Sequence, residues 1–152
     1  MNMKIRTATV HDIPNIVQQL KQYQLQCPVN SLSMATEVQA HLILRHIIAG
    51  SGIALLAERA GECCGVMLAM IDQNIWDPQC LMLKELVYWV DPKHRGTTAG
   101  YRLLHKYNLM AAEYHAAGRI TLWTISKMTT SPELDYKRFG YTKVEETWTQ
   151  GA

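Results

Sequence analysis

The chain lacks long hydrophobic runs, a surplus of charge of either sign and any paired-cysteine motif. No stretch of about 18 apolar residues occurs, which leaves no candidate membrane-spanning helix. The opening MNMKIRTATVHD contains no apolar segment of signal-peptide length. Against 13 Asp and Glu stand 15 Lys and Arg, a formal net charge of +2. That is too little for the basic field of a phosphate-tracking protein, so neither a nucleic acid nor a membrane is expected as partner. The four cysteines, Cys27, Cys63, Cys64 and Cys80, form no CxxC pair that could begin a zinc site, and no HExxH occurs. Adjacent Cys63 and Cys64 point to opposite faces of a strand, so reduced thiols, no metal and a cytoplasmic location are expected. Repeats, low-complexity tracts and long linkers are absent as well, which predicts one domain over residues 1–152. With 48% hydrophobic and 18% charged residues, that domain is globular and large enough to do without a metal or disulfide staple.

Periodicity places the elements. Residues 4–8 read as a short strand, after which Thr9 and Asp12 have the spacing of an N-cap and its capping-box acid. Ile13, Ile16, Val17, Leu20 and Tyr23 then mark one face of a helix that ends before Pro28. A second helix is predicted over 35–48, closed by Gly50 and Gly52. Strands over 53–57 and 64–71 are joined by a hairpin turn at 59–62. Residues 81–90 alternate, with Leu81, Leu83, Glu85, Val87 and Trp89 sharing one face, so a carboxylate stands among apolar neighbours. A long helix over 98–117 and a strand over 120–124 follow, a crossover that implies a parallel strand pair. A short helix over 132–139 and a last strand over 141–147 complete a mixed α/β sheet domain of order β-α-α-β-β-β-α-β-α-β.

The stretch that carries chemistry is VDPKHRGTTAG at 90–100. A strand that ends in a glycine-containing loop and opens a helix presents free backbone N–H groups at the positive end of the helix dipole. Such a site takes phosphate or pyrophosphate, and Arg95 adds a formal charge. No GKS or GKT follows, and the glycines of GxGxxG are absent, so neither a nucleotide P-loop nor a dinucleotide fingerprint is present. A capped turn with no ligand is the plain alternative. The inward Glu85 before the loop, the long helix after it and YKRFGY at 136–141 set this loop apart.

Taken together, IRTATVHDIPNIVQQL, LVYWVDPKHRGTTAGYRLL and YKRFGY resemble the GCN5-related N-acetyltransferases. The middle stretch is similar to that family's Q/R-x-x-G-x-G/A motif after a strand ending V-x-P, and the last to its Y-x-x-x-G-F/Y ending. The resemblance implies an α/β (α+β) fold with a mixed, mostly antiparallel sheet and a splayed central parallel strand pair flanked by helices. It implies acetyl-CoA as co-substrate, with backbone groups of Tyr88, Trp89 and Val90 pairing with its pantetheine arm. The amides of Arg95, Gly96, Thr97, Thr98, Ala99, Gly100 and Tyr101 would hold its pyrophosphate. Glu85 would be the general base, directly or through water, and Tyr136 the acid that protonates the departing thiolate. The acceptor would be a primary amine of a small molecule or protein, attacking directly in a ternary complex, at a site set by residues 11–50. A homodimer is common in the family.

Those residue types suit acyl transfer, which needs a neutral nucleophile, a place for its proton and a donor for the leaving group. An apolar setting is predicted to raise the Glu85 pKa towards neutrality. For each residue a structural role is the alternative: Tyr136 packing the last helix, or Glu85 paired with Lys84 or Arg95. Trp76, Trp89 and Trp123 read as core, and His94 as a solvated loop side chain. Two positions depart from the family pattern, Thr98 where Gly is frequent and Thr129 where Asn is frequent. Because Thr disfavours positive φ, the loop must differ locally or place Thr98 in an αR-like conformation, and its hydroxyl could instead donate to a phosphate. The same departures favour a second class of function, a CoA-binding or interaction module without turnover.

Overall fold

Ala60 and Gly61 both adopt positive φ, 55° and 79°, and turn the chain back on itself between two long strands. That is the mirror-image turn whose twist matches a hairpin, as the ArgAlaGlyGlu spacing predicts. The computed structural model describes residues 2–29 and 37–151. Its five strands are β1 (Lys4–Thr7), β2 (Gly52–Arg59), β3 (Glu62–Gln73), β4 (Leu81–Val90) and β5 (Leu122–Thr124), in the spatial order β1-β2-β3-β4-β5. The first three pairings are antiparallel; β4 and β5 are parallel, joined by the crossover helix α3 (Ala99–Ala116). Helices α1 (Ile13–Leu25) and α2 (Val38–His46) precede β2. The start predicted for α2, residue 35, lies outside the described residues.

Two apolar layers sandwich the sheet. Leu103, Leu104, Tyr107 and Ala111 of α3 pack on Leu55, Met67 and Leu83. Ile16, Val17 and Leu20 of α1, with Leu44 and Ile47, pack on Leu56, Val66, Leu68 and Trp89. Each fully buried Leu or Ile among them contributes roughly 1.5–3 kcal/mol of transfer free energy. Cys64 lies in the first layer and Cys63 against the second, and all four cysteines are free thiols. No helix among the described residues is long and apolar enough to cross a membrane.

An ion cluster ties the N-terminal elements together. Arg6 on β1 donates to both carboxylate oxygens of Asp12, at 2.7 and 2.8 Å, and to Glu58 on β2 at 2.9 and 3.0 Å. Asp12 also accepts the Thr9 N–H at 2.7 Å, so the predicted capping acid closes a short 3-10 turn, Val10–Asp12, at the entry to α1. The Arg6 hydrogen bonds outweigh its burial and hold the Asp12 carboxyl at about 2.

Several sequence expectations need correction. The strand predicted over 141–147 does not form: Val144 is 82% exposed there, and Lys143 pairs with Glu146 on the same segment. The β-branched Thr142, Val144 and Thr147 supply β propensity, but the segment offers no apolar face to bury. The helix predicted over 132–139 shrinks to a 3-10 turn, Tyr136–Phe139, ended by Gly140 at φ 87°. Trp76 is not core but 86% exposed beside the Asp77-Pro78 turn, and His94 is largely covered, its Nε2 3.8 Å from Glu62. The strict alternation of β4 also fails. Val87 pairs with Leu68 and Glu85 with Ala69, so Leu86 is an extra residue in a β-bulge. Leu83 therefore faces the α3 layer while Val87 and Trp89 face the α1 layer, and Tyr88 and Val90 turn back towards α3.

Candidate active site

The bulge and the end of a strand pairing create the site. β5 pairs with β4 only from Met82↔Leu122 to Lys84↔Thr124. One step further the strands part, and the Ser126 N–H donates to Glu85 Oε2 at 3.0 Å across the gap. Neither Lys84 nor Arg95 takes that carboxylate: Lys84 pairs with Asp72 at 3.0 Å. Desolvation dominates the surroundings of Glu85 and pushes its carboxyl up to about 7, against the opposing effect of the Ser126 hydrogen bond.

Five phenols lie within the field of that carboxylate: Tyr23, Tyr88, Tyr107, Tyr136 and Tyr141. Three are tied into the scaffold. Tyr88 donates to the Gly100 carbonyl at 2.6 Å, Tyr107 to the Thr124 carbonyl at 2.9 Å, and Tyr141 to Asn108 Oδ1 at 2.5 Å. Tyr136 makes no hydrogen bond through its hydroxyl among the described residues; its ring stands edge-on to Tyr141 with centroids 6.2 Å apart. Burial first, then the charge of Glu85, pushes the Tyr136 phenol up to about 12, so it keeps its proton at neutral pH.

Beyond the pairing with β5, the outer edge of β4 is open. The Asp91 N–H donates to Cys64 on the β3 side, so by alternation the main-chain groups of Tyr88 and Val90 face the open edge and those of Trp89 face β3. Of the three residues expected to pair with a pantetheine arm, Tyr88 and Val90 direct their main-chain groups to the open edge and Trp89 does not. Trp89 serves instead through its side chain, which donates from Nε1 to Gln19 at 2.8 Å on the α1 side. The Val90 carbonyl accepts from Arg95 Nε at 3.1 Å, and the guanidinium lies 4.8 Å from the Trp89 ring centroid.

The loop after β4 has the form an anion site needs. Gly96 takes φ 84°, and Thr98 is αR at φ −79°, which meets the requirement that Thr imposes at that position. Thr97 Oγ1 accepts the Ala99 N–H at 3.3 Å. No hydrogen bond among the described residues uses the amides of Gly96, Thr98, Gly100 or Tyr101. These stand at the start of α3, an 18-residue helix, where the dipole favours an anion. Of the expected pyrophosphate amides, those of Arg95, Thr97 and Ala99 are engaged within the loop.

Residues that the sequence patterns passed over complete the surroundings. Tyr23 and Gln26, in and just after the last turn of α1, touch both sides of the gap. Tyr23 stands edge-on to Trp89 of β4 at 5.9 Å, and its hydroxyl lies 3.6 Å from Met128 Sδ beyond β5. Gln26 accepts from Arg95 at 3.0 Å through Oε1 and from Thr130 at 2.8 Å through its carbonyl. Both fall within residues 11–50, the stretch the resemblance assigns to the acceptor, and periodicity marks only Tyr23, as the end of the apolar stripe.

No family model matches the sequence, and no curated protein does. Solved structures do. A GCN5-related N-acetyltransferase from Ralstonia eutropha JMP134 superposes with a TM-score of 0.76 at 19% identity, covering 98% of each chain. Glucosamine-6-phosphate N-acetyltransferase from Arabidopsis thaliana gives a TM-score of 0.71 at 14% identity, over 99% of this chain and 98% of that one. A predicted acetyltransferase with acetyl-CoA from Clostridium acetobutylicum gives 0.70 at 12% identity, over 99% of this chain and 96% of the other. The fold is therefore that of the GCN5-related N-acetyltransferases, with the mixed sheet and splayed parallel pair that the sequence resemblance implies.

Proposed function

We propose that this chain, which has the fold of the GCN5-related N-acetyltransferases, transfers an acetyl group from acetyl-CoA to a primary amine. The observation that carries the reading is Glu85, a carboxyl of near-neutral pKa in the gap between parting parallel strands, with a protonated phenol, Tyr136, in its field. The residues present suit acetyl-CoA. Free amides at Gly96, Thr98, Gly100 and Tyr101 would hold the pyrophosphate, and the outward main-chain groups of Tyr88 and Val90 would pair with the amide-bearing arm. Acetyl-CoA supplies the activated acyl group. Arg95 would release the Val90 carbonyl as the arm seats, leaving its charge near the phosphates.

Glu85 accepts a proton from the incoming amine, and its pKa near 7 lets it do so at neutral pH without being wholly protonated beforehand. Tyr136 delivers its phenolic proton to the sulfur as the C–S bond breaks and the C–N bond forms. Atoms and charge balance: an amide and a free thiol leave, and the proton that Glu85 took passes through water back to the Tyr136 phenolate, which restores both groups. Attack is direct, since the buried Cys64 and the raised pKa of Cys63, about 11, provide no ready thiolate.

Calorimetric titration with acetyl-CoA tests the binding claim, and no heat at sub-millimolar concentration overturns it. Thiol release in the presence of amines tests turnover. Binding of CoA with no amine ever consumed would support a binding module instead, although Thr98, one of the departures behind that reading, is accommodated with its amide free.

A further inference from the structure

The last turn of α1 lies over the gap that Glu85 occupies, on the side opposite α3, and its chemistry is uniform. Tyr23 reaches from Trp89 of β4 to Met128 beyond β5, and Gln26 reaches from Arg95 to Thr130 across the same divide. From Gln22 to Val29 the chain carries no Asp, Glu, Lys, Arg or His. The Tyr23 hydroxyl faces sulfur, Met128 Sδ at 3.6 Å and the Cys27 thiol, and its pKa is raised first by burial. The cation in this group, Arg95, is spent on Trp89, Val90 and Gln26. The start of α3 and Tyr136 belong to the α3 layer, which leaves the α1 side as the face of the gap not taken by the acetyl-CoA groups of the proposed reading.

Accepting the acetyl-transfer reading above, we infer that Tyr23, with Trp89 and Met128, forms the wall that receives the acceptor, and that the acceptor is a monoamine on an uncharged, apolar or aromatic body. An ammonium entering this wall meets one carboxylate, Glu85, and aromatic faces that favour a single positive charge. A second ammonium finds no carboxylate on the wall itself and meets Arg95, and the further acids are engaged, Asp91 by Gln19 and Glu133 by Lys127. An acceptor bearing its own carboxylate is repelled by Glu85 once that group ionises, and it finds Arg95 already engaged. An apolar body loses nothing on entering and gains contact with the Tyr23 ring and the Met128 thioether.

The test separates this inference from the reading beneath it. Acetyl-CoA affinity is first measured by calorimetry; failure to bind overturns both. With binding established, thiol release is followed with phenethylamine, hexylamine, spermidine, an α-amino acid and a lysine-containing peptide. The expected result is a kcat/KM for phenethylamine or hexylamine at least about tenfold above the three charged acceptors. Tyr23→Ala is expected to raise the phenethylamine KM about tenfold with acetyl-CoA affinity unchanged, and Tyr23→Phe, which keeps the ring, to recover most of that loss. Preference for spermidine, the amino acid or the peptide overturns the inference, as does acetyl-CoA binding without acetylation of either apolar amine. A Tyr23→Ala variant that loses acetyl-CoA affinity in step with activity also overturns it, because Tyr23 would then be a structural residue only.

Discussion

Glu85 accepts the Ser126 amide at 3.0 Å at the place where β4 and β5 cease to pair. The contact replaces a ladder hydrogen bond by a side chain. It keeps the gap open, satisfies the Ser126 amide and leaves the other carboxylate oxygen for chemistry.

The pH dependence follows from that carboxyl. With its pKa near 7 and that of Tyr136 near 12, kcat/KM should rise as pH passes through about 7 and then stay level into the alkaline range. Glu85→Gln should remove the rising limb and lower kcat by about 10² or more. The stability sign is opposite. A carboxyl raised from 4.5 in the unfolded chain to about 7 in the native one stabilises the fold fully below 4.5 and loses that contribution as pH rises through 7. Glu85→Gln should therefore melt higher than the parent protein at pH 8 but not at pH 4. A pH–rate profile with no limb near 7 would remove Glu85 from the base role.

Tyr136→Phe should lower kcat by about 10² while leaving acetyl-CoA affinity unchanged, since the ring still packs beside Tyr141. Unchanged thiol release in stopped assays would show that Tyr136 only packs.

Gly96→Ala should weaken acetyl-CoA binding about tenfold. A residue with a Cβ at φ 84° costs about 1–2 kcal/mol, and relief of that strain turns the neighbouring amides away from a common point. Calorimetry reads the change; equal affinity would place the phosphates elsewhere.

Asp12→Ala should destabilise the fold by about 2 kcal/mol in urea, because Arg6 loses its bidentate partner and the Thr9 amide its acceptor. The depressed carboxyl, about 2 against 3.8 unfolded, stabilises above 3.8, and that contribution fades as pH falls towards 2. The gap between variant and parent should accordingly close in acid.

Local order was legible where local chemistry is sufficient. The Ala60-Gly61 turn, the Thr9–Asp12 cap and the loop before α3 each need only neighbouring residues, and each formed as the sequence implies. The segment 141–147 misled because the β-branched Thr142, Val144 and Thr147 state a preference without supplying an apolar face to bury.

The sequence by itself determined that a glycine loop would open a long helix after a strand carrying Glu85, and that Tyr136 would follow at the family's spacing. Only the tertiary structure decided what those residues meet. A bulge at Leu86 shifts the register of β4 by one residue, and in a strand one residue reverses every later side chain. Leu83 and Trp89, which share a face by sequence parity, thus lie on opposite layers, and Glu85 stands between them in the gap. Parity is a local rule. The place where it breaks is fixed by pairing with β3, the loss of pairing with β5 and the helices packed on either side.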